Sequence, residues 1–140
     1  MARSFDLFMN FDGNCREALD FYSKAFNSEP NGLMTYSDAP ASSGCIVSED
    51  DKDRIMYCNL PIFGCNVMFC DIPSGSGLIK GNNISPTIGS DDQDEIRRVF
   101  NALKDGGVIE MDLQKTFWSD LYGMVTDRFG IIWQVCHFTP

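Results

Sequence analysis

Apolar and polar positions alternate over residues 4–11, the period-two pattern of a strand with one buried face. Asp12-Gly13 then predicts a turn. Asn14 with Glu17 three residues later has the spacing of a capping box. Cys15, Ala18, Leu19, Tyr22, Ala25 and Phe26 follow at helical spacing, so a helix should run to about Asn27. Residues 31–37 read as a short strand and 38–51, rich in Ser, Asp, Gly and Pro, as a loop. Strands are predicted over 54–60 and 65–71, joined by a tight turn at Ile62-Phe63-Gly64. Residues 72–82, with a Pro and three Gly, read as a connector.

The order then restarts. Residues 83–89 read as a strand, and Asp92 with Glu95 repeats the capping-box spacing. Ile96, Val99, Phe100 and Leu103 form a helical stripe, stopped by Gly106-Gly107. Strands over 108–113, 121–127 and 131–137 complete the chain, the last two joined by a turn at 127–130. The pattern is an α+β one: strand, helix, several strands, twice, at an interval of about 75–80 residues. Two such βαβββ modules, about 1–72 and 83–140 of a single domain, are expected to form curved mixed sheets around a shared cleft. That geometry provides a pocket without dictating its chemistry.

The 140 residues, 44% hydrophobic, suffice for a real core. The apolar runs are far shorter than the roughly 20 residues of a membrane-spanning helix. No apolar stretch follows Met1-Ala2-Arg3-Ser4, so no signal peptide is read there and a cytoplasmic location is expected. The formal net charge of -9 and the absence of a basic patch argue against nucleic acid and anionic membranes as partners. The six cysteines, Cys15, Cys45, Cys58, Cys65, Cys70 and Cys136, form no CxxC pair, and His137 is the only histidine. A zinc-finger framework is therefore not expected, and free, mostly buried thiols are.

The segment Phe8-Met9-Asn10-Phe11-Asp12-Gly13-Asn14-Cys15-Arg16-Glu17-Ala18-Leu19-Asp20-Phe21-Tyr22 resembles the opening of PhnB-like proteins. Those belong to the vicinal-oxygen-chelate (glyoxalase/bleomycin-resistance/dioxygenase) superfamily. Thr116-Phe117-Trp118, then Tyr122-Gly123-Met124-Val125-Thr126-Asp127-Arg128-Phe129-Gly130 and Trp133, resemble the same family's C-terminal signature. Met68-Phe69-Cys70-Asp71 stands where that family has a strand ending in Asp. The resemblance spans nearly the whole chain and implies a glyoxalase-like fold in a homodimer. Some PhnB-like proteins carry the description 3-demethylubiquinone 3-methyltransferase. The chain shows no Gly-rich loop after its first strand and no following acidic residue of a nucleotide-type methyl-donor site, so methyl transfer is not expected.

Metal-dependent members of the superfamily bind a divalent ion through His and Glu from both halves. Matching those positions onto this chain gives Leu7, Phe69, Asn83 and Gln134, two apolar residues and two neutral amides. Tyr57 stands where many PhnB-like members have a His. No metal and no cofactor are therefore expected. The residues expected to bind a ligand are Tyr57, Asn83, Trp118, Tyr122 and Gln134: phenols and amides that orient a polar group, and an indole that covers it. Phe117 and Trp118 equally suit a core or a subunit interface. Glu110 is placed on a solvated outer face, Asp71 and Asp127 at turns, and His137 at the surface or an edge strand. The function expected is metal-free binding of a small molecule, as in the bleomycin-resistance type. The alternative is a metal-dependent isomerase, lyase or dioxygenase, and a third possibility is a dimer that binds nothing.

Overall fold

The computed structural model describes residues 1–40 and 47–140. Cys45 and the middle of the loop expected over 38–51 lie outside them. The chain divides into two compact units, Met1–Ile79 and Lys80–Pro140. Each carries one helix on a four-stranded mixed sheet, giving an α+β, glyoxalase-like fold.

In the first unit β1 (Leu7–Phe11) is followed by α1 (Cys15–Phe26), β2 (Asn31–Thr35), a 3-10 turn (Tyr36–Asp38), β3 (Ile55–Ile62) and β4 (Cys65–Asp71). The sheet order is β1-β4-β3-β2, with β1 parallel to β4 and the other pairs antiparallel. The α1 stripe packs on β3 and β4. It buries Leu19, Tyr22 and Phe26 with Leu60, Val67 and Phe69, at about 1.5–3 kcal/mol for each large side chain. The β3–β4 turn sits at Phe63 and Gly64, both at positive φ (49° and 77°), the geometry whose twist matches the flanking strands.

The capping box predicted at Asn14 does not form; the Asn14 side chain makes no cap hydrogen bond. Asp71, at the end of β4, takes that role from 56 positions away: its Oδ1 accepts from Cys15 N at 3.0 Å and Gly13 N at 2.8 Å. Its Oδ2 accepts from Ile55 N at 3.0 Å, and Tyr36 donates its hydroxyl to the Asp71 carbonyl at 2.6 Å. One buried carboxylate thus joins β1, α1, β3 and β4.

The second unit repeats the plan with β5 (Thr87–Ser90), α2 (Gln93–Leu103), β6 (Val108–Gln114), β7 (Tyr122–Thr126) and β8 (Ile132–His137). The order is β5-β8-β7-β6, with β5 parallel to β8. Here Asp92 does cap its helix, accepting from Asp94 N and Glu95 N, while Glu95 accepts instead from Ser90 Oγ at 2.7 Å. Ile96, Val99, Phe100 and Leu103 pack against Ile88, Val125, Trp133 and Val135. Gly123 is obligatory in this layer: a Cβ there would lie 2.9 Å from the Phe100 ring and 3.0 Å from Leu113.

The strand predicted over 83–89 begins later, at Thr87. Pro86 has no N–H to give to a ladder, so pairing with β8 starts after it, and only its carbonyl takes part, accepting from Gln134 N at 3.0 Å. His137 is not on an edge. It ends β8, an interior strand of its sheet, with Nε2 3.2 Å from the Asp91 carbonyl. Among the described residues no helix is long and apolar enough to cross a membrane.

Candidate functional site

Side chains of a strand alternate between faces, and in the second sheet Val125, Trp133 and Val135 point toward α2. Tyr122, Met124, Gln134 and Cys136 therefore occupy the opposite face. The register sets Tyr122 opposite Cys136 and Met124 opposite Gln134, and β5 adds Thr87 beside Gln134. The Tyr122 hydroxyl donates to Gln134 Oε1, its diagonal neighbour. Burial first, and then the neighbouring Cys136, push the Tyr122 phenol above its ordinary value, so it remains a neutral donor at physiological pH.

Aromatic rings extend from this pair. Trp118 meets Tyr122 edge-to-face with centroids 5.2 Å apart, and Phe117 meets Trp118 the same way at 4.8 Å. Tyr122 is 6% exposed, Trp118 52% and Phe117 98%, so the rings grade from buried to solvent. The loop between β6 and β7 holds them in place. Thr116 N donates to the Ser119 carbonyl at 2.9 Å, and buried Ser119 Oγ lies 2.7 Å from the His137 carbonyl and 2.9 Å from that of Leu121. Solvent-exposed rings on a loop pinned this firmly form a ledge.

Three of the five expected site residues, Trp118, Tyr122 and Gln134, thus come together. Asn83 does not join them: it lies in the exposed 81–84 segment ahead of β5, and Thr87 stands opposite Gln134 instead. Tyr57 belongs to the first unit, on the sheet face away from α1. There it shares β3 with Asn59, whose Oδ1 is buried without a hydrogen-bond partner. Cys70 lies on that face too, donating its thiol to Asn10 Oδ1 at 3.1 Å. Cys136 and Thr87 were missed as site neighbours; two-residue spacing from Gln134 signals the first, but the second depends on where β5 begins. Glu110 is exposed as expected and accepts from Thr126 Oγ1 at 2.8 Å. Asp127 is a turn residue, but a buried one: Oδ1 accepts from Phe129 N at 2.8 Å and Ile131 N at 3.1 Å, and Oδ2 from Trp133 Nε1 at 2.8 Å.

The four positions matched to metal ligands do not fit a divalent cation. Leu7 and Phe69 offer no donor atom, and Phe69 is buried on the α1 side, stacked on Phe11 at 5.9 Å. Asn83 is off the strand, and Gln134 Oε1 is already accepting from Tyr122. Among the described residues no three His, Cys, Asp or Glu side chains gather into a ligand set.

A family model described as 3-demethylubiquinone-9 3-methyltransferase matches residues 3–136. The chain is 30% identical over 135 residues to Protein YjdN of Escherichia coli (strain K12), covering 91% of this chain and 90% of that one. Protein PA1353 from Pseudomonas aeruginosa has a similar solved structure, with TM-score 0.86, 30% identity and 97% and 98% of the two chains covered. The PhnB protein from Bacillus cereus aligns with TM-score 0.78 at 22% identity over 97% and 100%. The fosfomycin resistance protein FosX from Listeria monocytogenes shares the fold, with TM-score 0.65 and 11% identity over 99% and 95%.

Proposed function

The chain belongs to the 3-demethylubiquinone-9 3-methyltransferase-like (PhnB-like) family of the vicinal-oxygen-chelate superfamily, and on that premise we propose that it is a metal-free binder of a small aromatic molecule. One observation carries this reading: Trp118 and Phe117 are presented to solvent by a pinned loop, beside the hydrogen-bonded Tyr122–Gln134 pair. Exposed aromatic rings beside oriented polar groups are what a planar ligand requires. Tyr57 offers its hydroxyl on the first sheet as a separate polar group.

Methyl transfer is not part of the proposal. The turn after β1 holds a single glycine, and the N–H groups of Gly13 and Cys15 that would face a donor's polar groups are taken by Asp71. Nor is metal chemistry, since the donor set at the superfamily's ligand positions is two hydrocarbons and two amides. Homodimerisation, implied by the resemblance, is proposed with it, and sedimentation equilibrium tests it.

Thermal-shift screening of an aromatic small-molecule library, on protein stripped with chelator, tests the binding reading. The expected result is stabilisation by a subset of compounds that Trp118→Ala abolishes while leaving the unliganded melting temperature nearly unchanged. Stabilisation that appears only after Mn, Zn, Ni or Fe is added back would establish the metal-dependent alternative.

A further inference from the structure

Resting on the binding reading above, we propose that the group recognised at this ledge is the carbonyl oxygen of an uncharged aryl ketone or amide. Gln134 determines it. Its Oε1 accepts from the Tyr122 hydroxyl. Nε2 is left as the donor, with no hydrogen bond among the described residues. A ligand carbonyl placed against it completes the amide's hydrogen bonding, whereas an aliphatic group there would strip water from the N–H and return nothing.

Charge on the face selects further. The strand residues on this side of β5, β7 and β8 include Thr87, Tyr122, Met124, Thr126, Gln134 and Cys136, none of them cationic. On the adjoining edge strand Glu110 accepts from Thr126 Oγ1, and Asp112 lies between the residues paired with Met124 and Tyr122. A carboxylate or phosphate ligand would lose its hydration against these strand residues with no cation among them to replace it. The rings impose the aromatic half: Trp118 meets both Tyr122 and Phe117 edge-to-face and stays half exposed, leaving surface for a flat partner.

Three matched probes separate these elements: 2-acetylnaphthalene, 2-ethylnaphthalene and 2-naphthoate, measured against the full chain by equilibrium dialysis. The acetyl compound is expected to bind about tenfold more tightly than either of the others, the worth of one net hydrogen bond. Gln134→Glu keeps an acceptor for Tyr122 but replaces the donor with a carboxylate, and should erase the preference over 2-ethylnaphthalene. Gln134→Met, with neither charge nor donor, should erase it as well and guards against a loss caused by repulsion alone. If the acetyl and ethyl probes bind the wild type alike, or either variant retains the tenfold ratio over 2-ethylnaphthalene, the carbonyl assignment is overturned while aromatic binding stands. If none binds up to its solubility limit, the binding reading fails and the assignment fails with it.

Discussion

Replacing Asp127 by Ala removes the acceptor that organises the β7–β8 hairpin, on which Tyr122 and Gln134 both ride. The carboxylate is 3% exposed and receives three donors at 2.8–3.1 Å: Phe129 N, Ile131 N and Trp133 Nε1. Hydrogen bonds to a charged group contribute about 1.5–3 kcal/mol each, and an orphaned buried donor costs about 1–3 kcal/mol. Trp133 is buried, so its indole N–H cannot return to bulk water, while the turn N–H groups lie nearer the surface and recover part of their loss. Counting Trp133 fully and the turn donors at half gives a destabilisation of about 3–4 kcal/mol. At this chain length that is roughly 10 °C in melting temperature. The control is Asp105→Ala, which removes an exposed ion pair with Arg128 in the same unit and should change stability by no more than about 0.5 kcal/mol. Urea unfolding followed by Trp fluorescence and circular dichroism gives both values, valid if the two probes coincide and the slope is unchanged. Adding Trp133→Phe closes a double-mutant cycle in which about 1–2 kcal/mol of coupling is expected. An Asp127→Ala loss below about 1 kcal/mol would refute the assignment of this carboxylate as the hairpin's organising acceptor.

Asp71→Ala should be similarly destabilising, about 3 kcal/mol in urea unfolding, because Gly13 N, Cys15 N and Ile55 N lose their shared acceptor. Asn59→Leu, by contrast, should leave the melting temperature unchanged or slightly raised. It removes a buried oxygen that has no partner and gives up only a long contact to Asn31 at 3.4 Å. Burial pushes the Cys15, Cys58 and Cys70 thiols up, most strongly at Cys15, so native protein treated with iodoacetamide near pH 8 should be alkylated at exposed Cys65 well before these three. The sign of the linkage follows: groups raised above their unfolded values contribute stability below the unfolded thiol value near 9.0, and that stability is lost as pH rises through the folded values. Urea titrations at pH 7.5 and pH 10 should therefore show lower stability at the higher pH, and Cys15→Ala should reduce the difference.

Both helices were legible because their stripes repeat at i, i+3, i+4 and i+7, a signal that depends only on residues close in sequence. The caps were legible in one helix of two. Asp92 reaches its own first turn, but the first helix is capped by Asp71 from a different strand, and no local pattern reports a partner that arrives through the fold. The start of β5 is not legible, because the residues before Pro86 look strand-like while the proline itself stops the ladder. The strand-like pattern alone puts Asn83 in the expected site. Tyr122, Gln134 and Trp118 could each be selected from sequence as amphipathic residues on or beside strands of the C-terminal motif. Their partnership could not, because it depends on the β7–β8 register, in which Tyr122 and Gln134 are diagonal neighbours. The position matched to Phe69 follows from resemblance, whereas strand alternation assigns that ring to the helix side, where the structure buries it.

The most direct test of metal-free aromatic binding at the C-terminal ledge is a titration of 15N-labelled protein with 2-acetylnaphthalene in the presence of EDTA, following the side-chain N–H signals. The expected result is a saturable shift of the Trp118 indole and Gln134 amide signals, with the Trp133 indole, bonded to Asp127, nearly still. Shifts confined to other residues, or shifts that appear only when a divalent metal replaces the chelator, would contradict it.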